Sequence, residues 1–212
     1  LGMAMPASRR LGLLSWARET ACWILEDDYD SEFNYERLPL PALKSLDEGD
    51  RVIHCGSFNK SLFAALRIGY AVVPRELVPA YTEVRRLTGR SNSVIEQMAL
   101  AEFLASGAFA RHVRRARSVY LRRRDRVLQA LHAARVEAQP LIAGQQAGFH
   151  LVWWLPPSVD EASQLRRAEG RGLQLESVSS HCHRVSLPRG VIIGYSGLDD
   201  DALSRLVRLL RG

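Results

Sequence analysis

The sequence predicts an α/β protein, in which a mostly parallel sheet with helices is followed by a small α+β domain at the C-terminus. Three observations predict it. Short apolar runs near Cys22–Leu25 and Val52–Cys55 lead directly into polar residues that can carry chemistry, as strands of open α/β sheets do at their carboxyl ends. A helical period continues from about Phe109 to Ala134 and reads as a spine between domains. Beyond it, alternation with aromatics returns around Gly148–Leu155, and an amphipathic segment closes the chain.

Taken in order, residues 7–20 place Leu11, Leu14, Trp16 and Ala17 among arginines and glutamate, the spacing of a helix that covers a sheet. Ala21–Leu25 is nearly continuous apolar sequence, which predicts a strand buried on both faces and ending in Glu26-Asp27-Asp28-Tyr29-Asp30. Residues 31–50 hold Leu-Pro-Leu-Pro and Asp-Glu-Gly-Asp and read as loop, with one short helical turn around Ala42 to Leu46. Arg51–Cys55 is the next strand, and Ile68–Val73, closed by Pro74, is a third. Helices follow at 76–87, 94–106 and 109–134, with breaks at Gly89 and Gly107. The tail predicts β-α-β-β-α, with its helix at 160–169, strands at 173–176 and 191–195, and a closing helix at 199–210. The domain boundaries read from this are 1–108, a connecting helix at 109–135, and 136–212.

With 212 residues, 47% hydrophobic and 25% charged, the chain has the composition of an ordinary globular protein with a sizeable core. No apolar run reaches the roughly 18 residues that cross a bilayer, and the N-terminal stretch lacks the order of a signal peptide. The expectation is a cytoplasmic protein without membrane contact. Cys22, Cys55 and Cys182 lack the spacing of a disulfide framework or zinc site, and His181-Cys182-His183 places neighbours on opposite faces of an extended segment, so no metal is expected. The net charge of +6 concentrates in Arg111, Arg114, Arg115, Arg117, Arg122, Arg123, Arg124 and Arg126. Such a face could meet phosphate backbones, but no recognition motif accompanies it, and an exposed helix face is the favoured reading.

Lysine occurs only at Lys44 and Lys60 among the 29 Lys and Arg. Lys60 has Ser57 three residues before it and Arg67 seven after it, so one segment presents an amine and two phosphate-binding groups. Pyridoxal 5'-phosphate requires that combination: a lysine for its aldehyde, a carboxylate facing the pyridine nitrogen, a donor to the ring oxygen and a phosphate cradle. Lys60 supplies the Schiff-base amine and general base, Asp27 the carboxylate, Tyr29 the donor, and Ser57 and Arg67 part of the cradle.

The runs Ile24–Phe33, Leu38–Leu43, Gly56–Phe63, Ala65–Tyr70, Glu96-Gln97, Ala99–Phe103, His112–Arg115 with Tyr120, and Gly194–Leu198 together resemble the aminotransferase-like domain of MocR-type transcriptional regulators, of the GntR superfamily. That resemblance covers essentially the whole chain. It implies part of a fold-type I pyridoxal phosphate-dependent large domain at 1–108 and the complete small domain at 136–212. It also implies a homodimer, a small amine or amino-acid ligand, and DNA binding only through an N-terminal winged helix-turn-helix not present in these residues. The expected function is a truncated effector domain whose cofactor sits on Lys60; the alternative is a fragment of a true class I/II aminotransferase. Asn59 stands where such proteins commonly carry serine. The glycine-rich phosphate loop, the ring-stacking aromatic and the asparagine near the ring oxygen are not among these residues. The arginine that clamps a substrate carboxylate is not assignable: Val191 falls near its place, with Arg184 and Arg189 as weak substitutes.

Overall fold

The computed structural model describes residues 5–35, 41–88, 93–133 and 141–211. Leu38, Pro39 and Leu40 of the expected loop, the break at Gly89, and positions 134 and 135 of the expected connecting helix lie outside them. The chain divides into two compact units, Met5–Arg114 and Arg115–Gly212.

In the first unit, α1 (Ala7–Glu19) precedes β1 (Ile24–Asp28), β2 (Val52–Ser57) and β3 (Gly69–Val72), which form one sheet in that order. β1 runs parallel to β2 from Ile24↔Val52 to Asp28↔Gly56, and β3 returns antiparallel from Ser57↔Gly69. The described sheet is therefore one parallel and one antiparallel pair rather than mostly parallel. Strand alternation divides the side chains between two faces. On one face, Val52 joins Leu14 of α1 and Leu43 in a buried cluster, with Leu13, Ile24 and Leu46 against it. The other face carries Leu25, Asp27, Ile53, Cys55 and Ser57, and Leu25 is 70% exposed. The expectation of a strand at 21–25 buried on both faces is thus corrected. Ala21 instead turns the chain with φ 53, and three acids lie inside the strand. Of the apolar residues expected on the covering side of α1, Leu14 and Ala17 are buried, whereas Leu11 and Trp16 are exposed.

A parallel pair needs a crossover connection, and residues 29–51 supply it; its described residues carry short 3-10 turns at Ser31–Phe33 and Leu43–Leu46. Two carboxylates replace the missing ladder. Glu26 accepts the amides of Leu43 at 2.5 Å and Lys44 at 3.0 Å, together with His54 Nδ1 at 2.9 Å. Asp47 accepts the amides of Gly49, Arg51 and Val52 at 3.1, 2.7 and 2.7 Å. Backbone donors that would otherwise be unpaired are satisfied, and the loop is tied to the sheet at both ends. After β3 come α2 (Val78–Leu87), α3 (Val94–Ala105) and the first turns of α4 (Ala108–Ala133). Gly107, at φ +69, separates α3 from α4.

The second unit contains the rest of α4, β4 (Leu141–Ala143), β5 (His150–Trp154), α5 (Glu161–Glu169), β6 (Glu176–Ser177), β7 (Gly190–Gly194) and α6 (Asp200–Arg211). Its sheet has the order β4-β5-β7-β6 and is antiparallel throughout. Leu151, Val152, Val191, Ile193 and Tyr195 are buried with Val127 and Leu131 of α4 and Leu203, Leu206 and Leu209 of α6. β4 was not expected, and the strand expected at 173–176 is reduced to two residues because Leu173 turns into the core at 5% exposure. Glu161, 8% exposed, accepts the hydroxyls of Ser177 and Ser179 and the Gly190 amide.

Burial raises the carboxyl pKa of both Glu26 and Glu161, but hydrogen bonds outweigh it: from Lys44, His54 and Leu43 in the first case, and from Ser177, Ser179 and Gly190 in the second. Both groups lie below the ordinary glutamate value. The folded chain therefore binds fewer protons than the unfolded one, and this contribution is complete above about pH 4.3 and is lost as pH falls through the lowered values. Glu26→Gln and Glu161→Gln should each lower unfolding stability of the full-length protein at pH 7 by about 1–3 kcal/mol. Each should also flatten the acid limb of stability measured by urea unfolding between pH 3 and 7, as roughly bracketed by the glutamate range.

Candidate functional site

The five residues singled out by sequence fall at one end of the first sheet. Asp27 is the penultimate residue of β1, in register with Cys55 of β2. Ser57 ends β2 two positions later, on the same open face as Asp27. Tyr29 lies just beyond β1, Lys60 sits in the turn after β2, and Arg67 precedes β3, whose first residue pairs with Ser57. The carboxyl ends of two parallel strands and the start of the returning strand thus present a carboxylate, a phenol, a hydroxyl, an amine and a guanidinium together. Asp27, Tyr29, Lys60 and Arg67 are exposed, and Ser57 is half-buried.

The electrostatics of this edge come from the acidic run. The Asp30 carboxylate, then burial, then Asp27 push the Tyr29 phenol above its ordinary pKa. Tyr29 therefore keeps its proton and is a hydrogen-bond donor at neutral pH. Asp30 is raised by burial and by its neighbours Asp28 and Asp27, with the positive charge of Lys60 opposing them. Lys60 thus lies within electrostatic reach of Asp30, a pairing that the sequence reading did not single out. Burial and then Asp27 push the Cys55 thiol up, which keeps it protonated beside the site. On the covered face the Tyr70 ring lies over Gly56, where a Cβ would come within 2.3 Å of it. Glycine is required there for the ring to reach Phe58, at 5.5 Å, and His54, at 5.9 Å.

The turn that carries Lys60 is closed by the Leu62 amide donating to the Phe58 carbonyl at 2.9 Å. Ser57 Oγ accepts the Asn59 amide at 3.2 Å, so its own proton remains available to donate. Asn59 Oδ1 is buried and lacks a hydrogen-bond partner among the described residues. A buried polar atom of this kind is costly unless something completes it, so the turn has polar capacity to spare next to the lysine. Arg67 adopts the left-handed conformation, φ 52 and ψ 30. A residue with a Cβ pays about 1–2 kcal/mol for that backbone, and strain of this kind concentrates where a side chain must be aimed. The donor set of hydroxyl and guanidinium suits a phosphate, and the carboxylate, phenol and single amine suit a substituted pyridine aldehyde. The residues present therefore fit pyridoxal phosphate.

Other expectations have plainer outcomes. Val191 is fully buried in the second unit, so its side chain belongs to that core, while Arg184 and Arg189 are exposed. His181 Nε2 pairs with Glu176 at 3.2 Å, and no group of three metal-ligating side chains occurs among the described residues. The three cysteines are free. Arg123 and Arg124 of α4 donate to the carbonyls of Ser196 and Gln145, and Arg126 reaches Ser204 and Asp200, so part of the arginine-rich helix serves its own unit. Among the described residues no helix is long and apolar enough to cross a membrane.

Similarity to known proteins extends over essentially the whole chain. A protein of Rhizobium meliloti described as a probable rhizopine catabolism regulatory protein, MocR, is 36% identical over 211 residues, covering 100% of this chain and 43% of that relative. The pyridoxine biosynthesis transcriptional regulator PdxR of Corynebacterium glutamicum is 30% identical over 203 residues, 95% of this chain and 43% of its own length. The chain thus spans less than half the length of these relatives. Among solved structures, the kynurenine aminotransferase of Pyrococcus horikoshii superposes with TM-score 0.84 at 25% identity, over 99% of this chain and 53% of that one. A multiple substrate aminotransferase of Thermococcus profundus gives 0.86 at 24% identity, over 99% and 52%. Residues 1–208 match the family of class I and II aminotransferases, so the chain belongs to that family, and along its length it is similar to MocR-type regulators.

Proposed function

We propose that this chain is the pyridoxal phosphate-binding effector portion of a MocR-type transcriptional regulator, with Lys60 as the residue that takes the cofactor. The observation that carries the reading is the convergence of Asp27, Tyr29, Ser57, Lys60 and Arg67 on one sheet edge. The regulatory part of the reading is supported by relatives that are regulators along the whole of this chain. When bound, the cofactor's pyridinium ring withdraws electrons from an attached amine ligand. The protein's share is then definite. Lys60 would hold the cofactor's aldehyde end through its amine and would hold or move a proton at that amine. Asp27 would offer its carboxylate to the ring nitrogen and favour a proton there. Tyr29, held protonated by Asp30, donates to the ring oxygen. Ser57 and Arg67 hold the phosphate, the guanidinium as a two-pronged donor. A homodimer, a small amine or amino-acid ligand, and DNA contact through an N-terminal domain complete the proposal. The second reading, an amino-group-transferring enzyme, is favoured by the fold of the solved aminotransferases.

Full-length protein should show an imine absorption band with pyridoxal phosphate that Lys60→Ala abolishes; survival of the band in that variant removes Lys60 from the role. Steady amino-group transfer at rates of about 1 per second or faster would instead establish the enzymatic reading. Arg67→Ala and Arg67→Gly should both weaken cofactor binding by roughly tenfold or more, since each removes a charge-assisted contact. Arg67→Gly should be the more stable of the two to unfolding by about 1 kcal/mol, because only glycine relieves the left-handed backbone.

A further inference from the structure

The turn from Phe58 to Leu62 decides where the Lys60 side chain starts, and it is a short irregular segment. Within itself it has the Leu62–Phe58 backbone bond and a longer contact of 3.4 Å from Ser61 Oγ to the Phe58 carbonyl. From outside, the first turns of α4 grip it at two points. His112 Nε2 lies 2.8 Å from the Ser61 carbonyl, and the Phe109 ring meets Phe58 edge-on with centroids 5.7 Å apart and planes at 78°. Phe103 of α3 backs Phe109 at 6.4 Å. Phe109 and His112 are three residues apart, hence on one side of the helix. Since a carbonyl only accepts, His112 Nε2 must carry the proton, which fixes its role as donor. Ser61 is 2% exposed, so without His112 its carbonyl has little water to turn to.

A lysine has a long flexible stem whose rotamer freedom is worth about 2 kcal/mol. The protein cannot restrain that stem directly while the amine is exposed, but it can fix the direction in which the stem leaves the backbone. Loss of that direction lowers the effective concentration of the amine at its target. The geometry points to His112 as a positioning residue for Lys60: by holding the Ser61 carbonyl it locks the 58–62 turn in the orientation that presents the amine. This inference rests on Lys60 being the cofactor lysine. It gives a task to the His112-Val113-Arg114-Arg115 run, which the five site residues leave unexplained. The contact is 51 residues long in sequence, so nothing in the local pattern announces it.

The test uses full-length protein stripped of cofactor, with His112→Leu, which removes the donor, and His112→Gln, which keeps an amide donor at a similar reach. Two measurements are made on each: hydrogen exchange of the peptide covering residues 57–63 without cofactor, and the affinity for pyridoxal phosphate read from the imine band. His112→Leu should accelerate exchange in that peptide and weaken binding, each by about fivefold to tenfold, the worth of one hydrogen bond. His112→Gln should stay within about twofold of the parent in both, the residue of a retained bond. Unchanged exchange and affinity in His112→Leu overturn the inference, as does an equal loss in both variants, which would mark the histidine as a packing element alone. Lys60→Ala run beside them separates the two proposals. If it leaves the band intact, the lysine assignment fails, while the exchange measurement still reports whether His112 holds the turn.

Discussion

The parallel pairing of β1 with β2 is the constraint on which the rest of the first unit depends. It places Asp27 and Tyr29 beside Ser57 and Lys60, although the two motifs are separated by an irregular crossover. Such a crossover normally brings a helix that satisfies its own backbone. Here the task falls to Glu26 and Asp47, whose carboxylates together take five backbone amides, with His54 adding a charge-capable donor. The acidic strand therefore has two functions divided by the pleat. Glu26 faces the covered side and holds the scaffold, and Asp27, one residue on, faces the open side, where the proposed site lies.

Much of this was legible in sequence, and what was not has physical reasons. The helices α3 to α6 lie within about a residue of their expected bounds, and the proposed site residues were read from a lysine, an arginine and a hydroxyl at fixed spacing plus an acid and a phenol at a strand end. The position of β1 was misjudged because an apolar run stops at the first charge. Glu26 is tolerable inside the strand through the Leu43 and Lys44 amides and His54, partners 17 to 28 residues away. The direction of β3 is likewise invisible in Ile68–Val73, since an apolar run has no sign. β4 pairs with β5 over only three residues, too short to carry a period. The roles of Asp30, Asn59 and His112 were not read from the sequence because burial, an unmatched amide and a distant carbonyl define them, and none of these leaves a local pattern.

The charge distribution also becomes intelligible. A chain of net charge +6 keeps a strongly acidic strand end, where Asp28 and Asp27 help raise Asp30, and Asp30 and Asp27 help raise Tyr29. The Lys60 amine is attracted toward this strand end through Asp30. Arginine does the structural work elsewhere. Arg123 and Arg124 reach backbone carbonyls that a strongly hydrated ammonium would serve less well.

Arg67 leaves a mark that can be followed across related sequences. The residues that sit comfortably in its left-handed backbone, glycine and asparagine, have no charge, and the only residue that could replace its charge keeps the strain and loses the planar fork. No substitution at this position is neutral in both respects. On the proposed reading, a lineage that stops binding a phosphate here gains stability by exchanging arginine for glycine, so the persistence of arginine beside an intact Lys60 would record continued use, and its exchange for glycine an early disuse.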